Sequence, residues 1–205
     1  MGRKEEISSF VYRKILYITA VSDTGEGKAI LSKLRRGIGH APGEIPELLG
    51  VILTDMPEKF MAKGDNTEPT KEEWACYAAL TLFAMHQQGN DLKKDPVNVS
   101  ENVSMGRAMS EYVSFSGDSN ARERMAVKLQ TLASAKDIKE LNYYLKSVIQ
   151  LLKTKGISLN YPQLAKDIYE CQFEDSRFHV FLRWGQDFYR NAKYDIEKAK
   201  EKENE

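Results

Sequence analysis

Residues 137–153, DIKELNYYLKSVIQLLK, decide the fold class. Leu141, Tyr144, Leu145, Val148, Leu151 and Leu152 recur at spacings of three and four, the apolar stripe of an amphipathic helix. Asp137 and Glu140 have the spacing of a capping box, and Gly156 supplies the stop. The same grammar repeats outward from this stretch. Asn160, Tyr161 and Pro162 open a short helix to about Cys171, and Asp175 starts a last one. That last helix runs through Trp184 into the charged end EKAKEKENE, which is expected to fray. On the other side, one helix covers about 119–134, Gly117 and Asp118 break the chain, and Ser104 caps a helix to about Phe115.

Further back, Thr70 with Glu73 is a second capping box. It opens a strong helix through Trp74, Tyr77, Leu80, Phe83 and Ala84, ending at Gly89. Pro46 starts a helix to about Thr54, proline being favourable at a first helical position. Ile30, Leu31 and Leu34 mark a short helix that ends in Arg35, Arg36 and Gly37. Ile7, Phe10, Val11, Ile15 and Ile18 mark a first helix over about 5–20. The run Ile15–Val21 is β-branched and aromatic, but it continues a helical period and is assigned to that helix. The reading is an all-α protein of about nine helices with no internal repeat. Residues 90–103, NDLKKDPVNVSENV, are polar and aperiodic. They are expected to form a mobile loop between two packed helical bundles, 1–100 and 101–205.

Composition narrows the function. A chain of 205 residues is one domain or two small ones. The stretch MGRKEEISSF has neither an apolar core nor a cleavage site, and Glu6 stands where a myristoylation pattern needs Ser or Thr. No run of apolar residues is long enough for a membrane span. A cytoplasmic location follows, in which the sequons at Asn98 and Asn102 have no meaning. Cys76 and Cys171, far apart and without a C-x-x-C, fit buried thiols better than a disulfide framework or zinc site. Net charge is zero, yet the signs are segregated. Residues 28–36 carry Lys28, Lys33, Arg35 and Arg36 with no acid, while 39–73 carry eight acids against three lysines. Residues 104–155 carry nine bases against five acids, so a basic face can coexist with a neutral whole.

Motifs of catalysis are missing from the sequence. Gly25-Glu26-Gly27-Lys28 resembles the end of a phosphate-binding P-loop, but Ser22 replaces the required glycine and Ala29 the magnesium-holding Ser or Thr. It reads as a flexible loop before a basic helix. His40, His86 and His179 stand in no metal-binding or catalytic spacing. His179 shares a strip with Phe178 and Leu182 and is expected to pack at the core or its edge. Phe181, Trp184 and Phe188 repeat at helical spacing as core, whereas Tyr143 and Tyr189 are open to a stacking role. What remains is cations presented on helices: Lys33, Arg35 and Arg36, then Arg107, then Arg122, Arg124 and Lys128, then Lys146, Lys153 and Arg183. Without a base-reading motif, such residues suit phosphate contacts, which position but do not specify.

The order of short motifs carries a resemblance. Residues 28–43, KAILSKLRRGIGHAPG, resemble the A-x-LRRG…PG segment of the CasB family, the small subunit of the type I-E CRISPR complex Cascade. Val103–Ala108 is similar to its slGrAl segment, and 128–132 and 145–153 to two later helical segments. Arg183–Tyr189 is similar to its closing rWaxdfy, so the resemblance spans about 28–190. Lys128 and Leu129 depart from the Arg and Phe usual there; lysine keeps the phosphate attraction but loses the bidentate fork.

The resemblance implies two helical bundles, no enzymatic activity and no cofactor. Its implied partners are the other Cascade subunits, a second copy of the chain, and the backbones of guide RNA and target DNA; no membrane is implied. The nucleic-acid-binding residues expected are Lys33, Arg35, Arg36, Arg107, Lys128, Lys146 and Arg183, with Arg36 open to a purely helix-terminal role. Two other readings compete. One is a structural spacer whose cations pair with neighbouring subunits. The other is a small helical enzyme with a site assembled from distant carboxylates.

Overall fold

A computed structural model describes residues 2–64 and 68–190. Among them are nine α-helices: α1 Arg3–Ala20, α2 Gly25–Arg36, α3 Leu49–Leu53, α4 Lys71–His86, α5 Met105–Ser116, α6 Ala121–Ala133, α7 Ile138–Thr154, α8 Tyr161–Glu170 and α9 Glu174–Arg190. Single 3₁₀ turns lie at Pro46–Leu48 and Glu58–Phe60. No strand occurs among the described residues, so the all-α reading holds. Ile15 and Ile18 of the strand-like run are buried within α1. The expectation of a fraying EKAKEKENE end falls outside the described residues.

α4 is the central element. Every residue from Trp74 to His86 is buried, as expected of a helix that is apolar all round. Its start is held by the capping box: the Thr70 hydroxyl accepts from the Glu73 N–H (3.0 Å) and the Glu73 carboxylate from the Thr70 N–H (2.7 Å). α1, α2, α7 and α8 pack on α4, while α5, α6, α7 and α9 pack among themselves. α8 follows α7 in sequence but seats on α1 and α4, and one hydrophobic core runs through both groups.

Four local readings change. The P-loop-like glycines form the first turn of α2 rather than a loop, with the Thr24 hydroxyl accepting from the Gly27 N–H (3.1 Å). Glycine is needed at 27 because a Cβ there would lie 2.1 Å from the Val21 carbonyl oxygen. Glu140 completes only half of a box. Its N–H caps on Asp137 (2.8 Å), but its carboxylate accepts from Lys136, one residue too early.

Residues 90–103 are a strap rather than a loose loop. Leu92 and Val97 are buried. The Leu159 N–H donates to the Val97 carbonyl (2.9 Å) and the Val99 N–H to the Leu159 carbonyl (3.2 Å). The Asn160 N–H donates to the Val103 carbonyl (3.2 Å), and buried Gln87 accepts from the Val97 N–H (2.9 Å). Isolated apolar anchors and backbone pairing leave no periodic signal. Finally, α9 buries Val180, Trp184 and Phe188 but exposes Phe178, His179 and Leu182. Two stripes existed on that helix, and period alone does not say which one faces inward.

Candidate nucleic-acid interface

The last turn of α2 carries Lys33, Arg35 and Arg36 where the helix dipole favours cations. At 100° per residue, Lys33 and Arg35 project from opposite sides of the helix. Lys33 faces α1. Arg35 faces α7, where its charge is felt by Lys153. Burial first, then Arg35, lowers the Lys153 pKa, and the ammonium donates to the Met85 carbonyl (3.1 Å) at the end of α4.

On α7, Lys139, Tyr143, Lys146 and Lys153 stand four, three and seven residues apart, so they share one stripe. Lys128 of α6 reaches this stripe by donating to the Ser147 hydroxyl (3.0 Å). Tyr143 is 65% exposed among these cations. Arg35, Lys128 and Lys146 have no acidic partner among the described residues. The result is a strip of excess positive charge, tempered by Glu44 near Lys139, with one aromatic ring in it. That is the composition suited to a phosphate chain with exposed bases.

The other expected residues separate from this strip. Arg107 is exposed in the first turn of α5, also without an acidic partner among the described residues. Arg36 is paired with Glu47 at 2.5 Å, both side chains being exposed. Arg183 is committed to the fold. Its guanidinium donates to buried Asp167 (2.5 Å), which also accepts from Trp184 Nε1 (2.7 Å) and Gln163 Nε2 (2.7 Å). Arg124 is likewise paired with Asp118. Sequence reasoning missed Lys139 and did not select Lys153, although their heptad spacing with Lys146 was the available signal.

The short motifs meet one another inside the molecule. A Cβ on Gly106 would lie 1.9 Å from the Trp184 carbonyl oxygen, so α5 and α9 cross in near backbone contact. The Ser104 hydroxyl caps the Arg107 N–H (3.2 Å) and donates to Asp187 (2.6 Å). Gly37 sits under Tyr77, whose hydroxyl donates to its carbonyl (2.9 Å). Most of the motif residues are therefore there to close the fold. The model of the CRISPR-associated protein Cse2 family matches residues 30–189.

The chain belongs to the Cse2 family.

Solved structures agree in fold. CasB from Thermobifida fusca is 25% identical, with a TM-score of 0.71 over 89% of this chain and 97% of that one. A Cse2-family CRISPR-associated protein from Thermus thermophilus is 20% identical, with a TM-score of 0.61 over 92% of this chain and 99% of that one. A chain of a CRISPR RNA-guided surveillance complex is 17% identical, with a TM-score of 0.71 over 94% of this chain and 99% of that one. No curated protein matches the chain in sequence.

Proposed function

We propose that this Cse2-family chain is a non-catalytic, cytoplasmic small subunit of a CRISPR RNA-guided surveillance complex. It holds nucleic-acid backbone on the strip of Arg35, Lys128, Lys146 and Lys153, with Arg107 as an outlying contact. The observation that carries this reading is the excess positive charge of that strip around exposed Tyr143. Exchanging a DNA duplex for a guide–target heteroduplex is nearly balanced in energy, so a modest hold on the open strands shifts the outcome. Other subunits, a second copy of the chain, guide RNA and target DNA are the partners in this reading. Arg36 and Arg183 leave the nucleic-acid set, being spent on Glu47 and Asp167 within the chain; the competing reading is a structural spacer.

The test is target binding by the complete complex, with wild-type chain or with Arg35→Ala/Lys146→Ala, over a salt series. The variant is expected to stay assembled and to bind target more weakly. Its log–log salt slope should be shallower by roughly 0.7 for each single-strand phosphate no longer neutralised. An unchanged slope and affinity would support the spacer.

A further inference from the structure

A groove of about 680 Å³ lies between α1, α2 and α3. That is within the range of roughly 300–1,000 Å³ typical of binding pockets. Phe10, Ile18, Ile30 and Leu80 give it an apolar floor. Its rim holds Arg13, Lys14 and Lys33, none with an acid at salt-bridge distance among the described residues. Lys14 is the most confined of these, lying over the Phe10 ring (5.6 Å) with its pKa lowered by burial. Two acids also line the groove. Glu26 is occupied by the Tyr17 hydroxyl, which donates to it at 2.5 Å, and Asp55 acts on Lys14 only at longer range. Tyr17, half exposed, lines the groove from α1.

This groove is distinct from the strip, since Lys33 and Arg35 lie on opposite sides of α2. The apolar floor of Phe10, Ile18, Ile30 and Leu80 offers nothing to a phosphate chain. An apolar centre, an exposed tyrosine and a polar rim are the make-up of a protein interface. Three cations outnumber the two acids, and Glu26 is turned to Tyr17, so the remaining positive charge asks for an acidic occupant.

We propose that the groove docks an acidic segment of a partner polypeptide. An apolar side chain of that segment fills the floor, and flanking carboxylates meet Arg13, Lys14 and Lys33. The proposal rests on the reading that the chain works as one subunit of a larger assembly.

The experiment uses the complete complex with its guide RNA. The photo-reactive residue p-benzoylphenylalanine replaces Tyr17, which lines the groove and is exposed, and the cross-linked product is identified by mass spectrometry. Attachment to another subunit within a segment rich in Asp and Glu is expected. In parallel, Ala29→Trp fills the groove from an exposed position, and Arg13→Glu/Lys33→Glu reverses its rim. Each is expected to lower the amount of chain retained in the complex at least about tenfold, a loss of roughly 1.4 kcal/mol, with the circular dichroism melt of the free chain unchanged. A cross-link to RNA or DNA, to a second copy, or to nothing overturns the proposal, as does full retention of both variants. If Arg35→Ala/Lys146→Ala leaves target binding untouched, the nucleic-acid reading fails and the groove proposal stands.

Discussion

His86 and Asp167 are buried ionisable side chains whose responses to acid oppose each other. His86 Nδ1 lies 2.9 Å from the Tyr161 hydroxyl across the α4–α8 contact. Burial first, then the charge of Lys153, lowers its pKa from 6.5 to about 4. Between those values the unfolded chain binds the proton and the folded chain does not, so this residue makes stability fall as pH falls. Asp167 has the opposite sign. Burial raises its pKa from 3.8 to about 6, against the pull of Arg183, so the folded chain takes the proton first and gains as pH falls through 6. His86→Leu isolates the first effect. Between pH 7 and pH 4.5 its urea-unfolding free energy should gain about 2–3 kcal/mol relative to wild type. Equal pH profiles for the two proteins would show that His86 is not held neutral. At this scale little was legible. The aromatic and cationic residues of the closing motif could be named, but Arg183 and Asp167 come together from two different helices, and no local spacing announces such a pair.

Elements were far more legible, because capping and period are local. Thr70 with Glu73, Asn160 before Pro162, and the left-handed Gly117 and Gly156 mark their helix ends as read. The crossing of α5 and α9 was not legible, because it depends on a close approach between residues far apart in sequence. Two glycines of the matched motifs test it. Gly106→Ala places a methyl against the Trp184 backbone, which cannot retreat as a flexible side chain would. Overpacking of about 1–3 kcal/mol should lower the melting temperature by about 2–12 °C. Gly185→Ala, on α9 and with nothing within 4 Å of its added Cβ, should be neutral or raise the melting temperature slightly. Equal melting temperatures for the two variants would mean that the crossing is looser than described.

For the whole molecule, charge segregation was visible in the sequence, but its placement was not. The basic run of residues 28–36 splits around α2 into a groove side and a strip side, and part of the expected interface is spent on internal pairs. The division at about residue 100 is proposed as one of architecture, between α1–α4 and the helices that follow. The seat of α8 on α1 and α4 ties the two parts, and so does the strap, whose Val97 and Val99 are stitched to Leu159. The seat of α8 on α1 and α4, with Gln87 accepting from the Val97 N–H, makes the covalent link at the strap dispensable once folding is complete. Residues 93–96 are exposed, so a protease can nick the chain between Lys94 and Asp95. The two pieces should then part on a denaturing gel yet travel as one species through a gel-filtration column. Such a chain can be supplied as two separately encoded halves that find each other, a split protein whose reassembly reports on the α8 seat.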